Sequence, residues 1–483
     1  MSAVSIERDI AGSTRQSSLR AIFNAQRMAF ERDSNPPLQV RIDRLRRLHA
    51  LIVENAPAII QAVAQDFGHR STEESRIAEI GGTVANIHYA IRNLRRWMRS
   101  RRRSTSIWFL PGSNSVLPQP LGVVGVMAPW NYPVNLAVAP LASALAAGNR
   151  AMVKMSELTP ATTETLKRLI ALAFDESEIA IIGGDAGVAA AFSSLPFDHL
   201  LFTGSTRVGR MVMAAAAQNL TPVTLELGGK CPVIVDADYP IEEAAHRILW
   251  GKTFNAGQTC VAPDYVLLPK GSLAAFASAL SRHYLAHFPR GAGESSYSSV
   301  IDPRAYERLQ SLVQGAREAG AVIQEIEQHT PDHAAARKFP LTLVINPPPD
   351  SRIMREEIFG PVLPVFEHDG LDDAIRRVNA GERPLGLYYF GRSSERQRAV
   401  LDRTVSGGVS INDVMLQFLQ VDLPFGGVGA SGFGRYHGQE GFETFSHLKP
   451  VFMQRGLGSF TGLKLLYPPY GNLARRLIGL MGG

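Results

Sequence analysis

In residues 17–100 the apolar positions recur at three- and four-residue steps, most plainly in LRRLHALIVENAPAIIQAVAQDF. That spacing predicts amphipathic helices. The period then breaks. In STSIWFLPGSNSVLPQPLG two short β-prone runs flank Pro-Gly-Ser-Asn, which predicts a hairpin over about residues 107–117. From there the pattern alternates. GVVGVMAP reads as a buried strand, and VNLAVAPLASALAAGN as a helix apolar all round, kinked at Pro140 and closed at Gly148. RAMVKMS is the next strand. TPATTETLKRLIALAF follows as a helix capped by Thr159 with Pro160 in its first turn. EIAIIGG and HLLFTGS continue the alternation, which predicts a parallel, doubly wound sheet. From about Leu227 a second α/β unit begins, with strands at CPVIVDAD, YVLLP, LTLVIN and PVLPVF. LPFGGVGASGFGRYHGQEGFETFSH reads mostly as loop, and KPVFMQR as a late strand.

At 483 residues two or three domains are expected. The composition, 45% hydrophobic and 19% charged, is that of a soluble globular protein, and a net charge of +6 is mild at this length. The one dense basic run, RRWMRSRRRS, has no aromatic platform around it and is expected to be a solvated face, so no nucleic-acid partner is expected. Two cysteines exclude a disulfide framework and point to a reducing, cytoplasmic compartment. The N-terminus has no apolar signal core, and no run reaches the roughly 18 apolar residues of a spanning helix. The tail LARRLIGLMGG is expected to dock on the protein itself, with contact to a membrane surface as the alternative.

Five segments carry candidate chemistry. FTGSTRVG, after the strand HLLF, holds Gly204, Ser205, Thr206 and Gly209 in a G-x-T-x-x-G turn. Such a turn can admit a pyrophosphate at a helix N-terminus, or serve only to turn the chain. Lys154 and Glu157 follow a strand's carboxyl end, where they can bind ribose hydroxyls or pair with each other. APWNYPVN presents Asn131 as either a helix cap or an amide donor. LELGGK presents Glu226, which can pair with Lys230 or act as a base, and FNAGQTCVAP presents Cys260, which can be core or nucleophile. Together the last three fit acyl transfer on a thiol: a nucleophile, an oxyanion donor and a carboxylate to activate water. No histidine stands in the setting a cysteine protease needs. No metal site is expected.

The motifs PWNYP, AAGNRAMVKMSE, FTGSTRVG, LELGGK, FNAGQTC, EEIFGPV and LPFGGVGASGFGRYHG occur in one order over nearly the whole chain. In them the sequence resembles the aldehyde dehydrogenase superfamily. GRYHG and the late YPPY resemble its class 3 branch, and NRAMVKMSELTP and LPFDHLLFTGSTRVG resemble coniferyl aldehyde dehydrogenases. The resemblance implies Cys260 as nucleophile, Asn131 with the Cys260 N–H as oxyanion hole, and Glu226 as general base. It implies Lys154 and Glu157 as adenosine-ribose ligands and Glu357 as nicotinamide-ribose anchor beside Phe359. Trp130, Gly204, Ser205, Gly209 and Leu227 complete the expected cofactor site. Glu157 would repel a 2′-phosphate, so NAD is expected, with NADP possible. Tyr132, Met415, Phe418 and Phe425 are expected to line the aldehyde pocket, for coniferaldehyde or a medium- or long-chain aliphatic aldehyde. Loss of any catalytic residue would have marked a cofactor-binding protein without catalysis. Cys231 has no implied role beyond packing.

The implied fold is α/β: a Rossmann-like parallel-sheet cofactor domain (residues 1–103 and 122–226), an α/β catalytic domain (227–411), and a small β oligomerisation element. The last comprises residues 104–121 and 412–456, with the substrate-site loop, and is followed by a tail, 457–483. A homodimer is expected.

Overall fold

The computed structural model describes residues 3–455 and 467–481. The first third is helical as expected, with helices at Ala3–Arg32, Leu38–Glu54, Ala56–Phe67 and Gly82–Trp97. Three sheets follow. The smallest contains β1 (Arg101–Arg103), β2 (Ser113–Pro120) and a late strand, Ser446–Met453, all antiparallel. The hairpin expected around Pro-Gly-Ser-Asn is therefore placed differently. Its first arm is the basic run Arg101–Arg103, and Ile107–Phe109 forms a 3₁₀ turn between the arms. The Thr105 hydroxyl accepts from Asn114 N–H (3.1 Å) and the Asn114 amide donates to Ser104 O (2.9 Å), so side chains close this loop. The expected solvated run is thus partly a strand.

The cofactor-type sheet contains β3 (Val123–Met127), β4 (Arg150–Lys154), β5 (Ile179–Ile182), β6 (His199–Gly204) and β7 (Val223–Leu227), all parallel. Their order is β7-β6-β3-β4-β5, and each is a short apolar run buried on both faces. The helix Asn135–Ala147 is buried almost throughout, as its all-round apolar sequence requires. Gly148 ends it at φ +96°, and the buried Arg41 guanidinium donates to the carbonyls of Ala146 (3.1 Å) and Ala147 (2.6 Å). Thr159 does not cap its helix. Its hydroxyl donates to Ser156 O, and Asp66 accepts from the N–H groups of Ala161 and Thr162 (both 2.8 Å) instead.

The second α/β sheet contains β8 (Pro232–Val235), β9 (Tyr265–Pro269), β10 (Val322–Glu325), β11 (Thr342–Ile345), β12 (Val362–His368), β13 (Gly386–Phe390) and β14 (Gly408–Ile411). Its order is β10-β11-β12-β9-β8-β13-β14, parallel except for the antiparallel edge strand β10. Strands β10, β13 and β14 go beyond the sequence-based expectation. Two residues, Gly432–Phe433 (β15), leave the glycine-rich segment and pair antiparallel with β7. The late strand Ser446–Met453 (β16) closes the small sheet.

The tail forms a helix, Asn472–Met481, of which Ala474 is buried while Leu473, Ile478 and Leu480 are exposed. Docking of the tail on the protein, or contact with a membrane surface, stays an expectation, with one residue of the helix buried and three large apolar ones exposed. Residues 457–466 and 482–483 of that expectation lie outside the described residues. No helix among the described residues is long and apolar enough to cross a membrane.

Candidate active site

The thiol loop begins where the helix Ile241–Thr253 stops. Asn255 and Ala256 (both φ +52°) and Gly257 (φ +70°) are left-handed in succession, a sharp reversal that costs backbone energy. A Cβ on Gly257 would lie 2.6 Å from Gly360 O, so only glycine lets the loop meet the EEIFGPV segment. Asn255 and Ala256 are fully buried. The small residues before the cysteine thus serve the turn and its packing. The Gln258 side chain pins the loop, donating to Ser299 O (3.0 Å) and accepting from Ile301 N–H (2.9 Å). Cys260 emerges from this loop half-buried, and both cysteines are free.

Asn131 follows β3 and is buried. Its amide donates to Gln258 O (3.2 Å), two residues before Cys260. It does not cap the next helix, where the Glu79 carboxylate accepts from Val134 N–H (3.1 Å) and Asn135 N–H (2.9 Å). Glu226 lies on β7 opposite Gly432 of β15. It is 2% exposed, and neither carboxylate oxygen has a hydrogen-bond partner among the described residues. Nor does it pair with Lys230, whose ammonium is taken by Asp264 and the carbonyls of Ile353 (2.8 Å) and Glu356 (3.1 Å).

Burial pushes the Cys260 thiol up, and the carboxylates of Glu357 and Glu226 push the same way against the Cys260 and Val261 N–H groups. Burial raises Glu226 well above the usual carboxylate range. Glu357 is pushed up to about 8, first by burial and then by Asp264, against the Gly229 N–H, Lys230 and Arg308. Burial thus favours the protonated form of the thiol and of both carboxyl groups. Glu357 packs against the LELGGK turn so closely that a Cβ on Gly228 would lie 1.9 Å from its Oε2.

Tyr436 and His437 are buried here too. The Tyr436 hydroxyl and His437 Nδ1 have no hydrogen-bond partner among the described residues. Burial raises the Tyr436 phenol well above its ordinary value, and Glu226 and Cys260 add to the rise, which sets the hydroxyl beside both. The GRYHG motif places these two residues in the chain without implying a role for either. Two polar aromatics set among glycines were the available signal. Their rings join Phe418 and Phe425, with centroid separations of 4.9 Å for Phe418–Phe425, 5.4 Å for Phe418–His437 and 4.6 Å for Tyr436–His437. Met415, at φ +64°, packs toward Gly251 and is buried. Tyr132 is buried between the Arg70 guanidinium (4.9 Å from its ring centre) and Thr259, to whose hydroxyl it bonds at 2.6 Å.

The other expected residues gather along the carboxyl ends of β4 to β7. Lys154 is 3% exposed and donates to Met155 O (2.7 Å) and Gly184 O (2.8 Å), while Glu157 beyond it is exposed. Burial lowers the Lys154 ammonium, opposed by Glu157 and Asp185, and no direct Lys154–Glu157 ion pair forms among the described residues. Ser205 caps the helix Thr206–Ala217, accepting from Val208 N–H (3.4 Å). Thr206 turns its hydroxyl to Ala430 O (3.3 Å), away from the approach a middle glycine would open. A Cβ on Gly209 would lie 2.7 Å from Leu227 Cδ2, so this glycine lets the helix pack on β7. Trp130 meets Phe359 edge to face at 5.3 Å, which brings the end of β3 to the EEIFGPV segment. This row of groups fits a dinucleotide, because it follows the strand ends where open α/β sheets bind ligands and finishes at Glu226, whose carboxylate has no hydrogen-bond partner among the described residues. Among the described residues no group of three or more His, Cys, Asp or Glu side chains could hold a metal ion.

The sequence profile of the aldehyde dehydrogenase family matches residues 7–451. The probable coniferyl aldehyde dehydrogenase of Pseudomonas aeruginosa is 47% identical over 460 residues, 95% of each chain. The coniferyl aldehyde dehydrogenase of Pseudomonas sp. strain HR199 is 45% identical over 447 residues, 92% of each. In three dimensions the chain is similar to the substrate-bound state of Staphylococcus aureus AldH, with TM-score 0.90 and 35% identity over 96% of this chain and 99% of that one. With a thiol, an amide and an unpartnered carboxylate held together at the end of a dinucleotide-type sheet, the chain belongs to the aldehyde dehydrogenase family.

Proposed function

We propose that this aldehyde dehydrogenase oxidises an aromatic aldehyde, coniferaldehyde to ferulate, with NAD, through Cys260. The observation that carries the catalytic assignment is Glu226: a buried carboxylate with no hydrogen-bond partner among the described residues, near enough to Cys260 to raise its thiol. Such a group is costly for a fold and useful for a reaction.

With Glu226 ionised, the Cys260 thiol passes its proton to that carboxylate, the sulfur attacks the aldehyde carbon, and Glu226 releases the proton to solvent. The Asn131 amide and the Cys260 N–H hold the oxygen as it gains charge. The chemistry a bound nicotinamide supplies is that of a hydride acceptor, converting the adduct on sulfur to an acyl group. Glu226 then takes a proton from water, whose oxygen attacks the acyl carbon and frees the acid and the thiol. Lys154 and Glu157 would hold the adenosine ribose, and Gly204, Ser205 and Gly209 would form the turn beside the pyrophosphate. Trp130, Leu227 and Phe359 would flank the nicotinamide end, with Glu357 on its ribose. Glu157 would repel a 2′-phosphate, which favours NAD over NADP.

The aromatic substrate is supported by the ring cluster of Phe418, Phe425 and His437 and by what the two Pseudomonas relatives are named for. Met415 and the same rings also suit an alkyl chain. Comparing kcat/KM for coniferaldehyde and straight-chain aldehydes, each with NAD and NADP, tests the reading. A preference for coniferaldehyde with NAD of about tenfold or more is expected. Equal or better turnover of the alkyl series would defeat the substrate assignment.

A further inference from the structure

Residues 70–79 include none of the expected catalytic, cofactor or substrate residues, yet they hold three buried ionisable side chains. Arg70, Glu74 and Glu79 are 2%, 9% and 0% exposed. Ser71 opens a short helix, Thr72–Ser75, by accepting from Glu74 N–H (3.3 Å). The chain then widens into a π-helical turn, Arg76–Gly81. In α-helical winding, residues five apart point about 140° away from each other. The wider i→i+5 winding lets Glu74 and Glu79 both turn inward, and such bulges recur at functional sites.

Each charge ends on backbone that carries a reacting group. Arg70 Nη1 donates to Glu79 Oε1 and to Asn131 O, both at 2.9 Å. Its guanidinium lies 4.8 Å from the Phe67 ring centre and 4.9 Å from that of Tyr132, which fixes its plane. The second Glu79 oxygen holds the N–H groups of Val134 and Asn135, so one ion pair grips the Asn131 loop on both sides. Glu74 Oε1 accepts from Asn255 N–H (3.1 Å), inside the left-handed turn before Cys260, and its other oxygen accepts from the Ser298 hydroxyl (2.6 Å). The Asn255 amide donates to the same Asn131 carbonyl (3.1 Å) that Arg70 binds. The two loops are tied together at that one oxygen.

A buried ion pair is a poor way to stabilise a fold, since apolar replacements of similar volume are often as stable. It is a good way to fix geometry. We infer that residues 70–79 are a two-armed positioning element for acyl transfer: Arg70 with Glu79 sets the Asn131 amide, and Glu74 sets the turn that presents Cys260. The inference rests on the acyl-transfer reading of Cys260 and Asn131.

The test uses the full-length enzyme without cofactor and 4-nitrophenyl acetate, whose carbonyl needs the same nucleophile and oxyanion donors. Burst amplitude counts working sites, and the burst rate constant reports the chemistry at each one. Arg70→Met is expected to lower the rate constant about 100-fold at full amplitude per folded chain, the scale of a 1 Å misplacement. Arg70→Lys, which restores the charge and one donor, is expected to recover about tenfold of that loss. Glu79→Gln keeps the volume and covers the case in which Arg70→Met does not fold; about a tenfold slowing is expected. A purely structural role would lower the amplitude and leave the rate constant within twofold of wild type, and that result would overturn the inference. A wild-type protein that neither cleaves the ester nor oxidises an aldehyde would instead sink the acyl-transfer reading.

Discussion

At the residue scale the sequence is most legible where one chemical type stands in a tight local frame. Cys260, Asn131 and Glu226 can be chosen from their motifs, and the structure brings all three to one place. Replacing Cys260 with alanine is expected to abolish aldehyde oxidation while NAD still binds, measured by absorbance and by fluorescence titration. Glu226→Gln is expected to slow release of the acyl group, so that a burst of NADH precedes slow turnover. Unchanged turnover in that variant would move the base elsewhere, with Tyr436 and Glu357 the next groups to test. Deacylation in the wild type is expected to rise with pH above the usual carboxylate range, because burial favours the protonated form of Glu226. Arg70, Glu74 and Glu79 were not legible. Their α-helical spacing spreads them round the axis, with Glu79 about 140° from Glu74, so they form no single face in the sequence, and the winding and packing that bury them together are seen only in the structure.

At the element scale, short continuous apolar runs gave β3, β4, β6 and β8, since strands buried on both faces have no polar alternation to hide them. The first arm of the small sheet was missed because three arginines carry no strand signal. Ile107–Phe109 has the right residues and the wrong backbone, since its ends are closed by side-chain hydrogen bonds across the loop. The thiol turn makes its own prediction. Gly257→Ala adds a Cβ 2.6 Å from Gly360 O at a positive φ. A loss of about 1 kcal/mol or more in unfolding free energy is expected, together with loss of turnover. Glu357 gives a second. Its folded-state pKa, about 8, lies above its unfolded value, so its contribution to stability is complete below about pH 4.5 and is lost as pH rises through about 8. The Tm difference, Glu357→Gln minus wild type, is therefore expected to be larger at pH 8.5 than at pH 5.5.

At the scale of the whole molecule, the two mostly parallel sheets and the small antiparallel one follow the architecture expected from the sequence. The amphipathic pattern of the tail says that an apolar face exists and not what covers it. With Ala474 the buried residue of its described helix, deletion of residues 467–483 is expected to change Tm by less than about 2 °C. A larger loss would mean that the exposed Leu473, Ile478 and Leu480 are covered in the assembled protein. A homodimer, with a mass twice the 52.6 kDa of the chain, remains our proposal, and light scattering measures it.

The two-residue strand β15 carries a consequence for the timing of synthesis. Glu226 and Cys260 leave the ribosome with the first 260 residues, yet the strand that pairs with Glu226 is Gly432–Phe433 and the aromatic neighbours are Tyr436 and His437. A nascent chain therefore carries its nucleophile for some 170 residues of translation before strand β15 and the aromatic neighbours that enclose the site exist. Products cut short in that interval are expected to hold an ordinary, unspecialised thiol. Readiness for chemistry arrives late and all at once, with the passage of the glycine-rich segment.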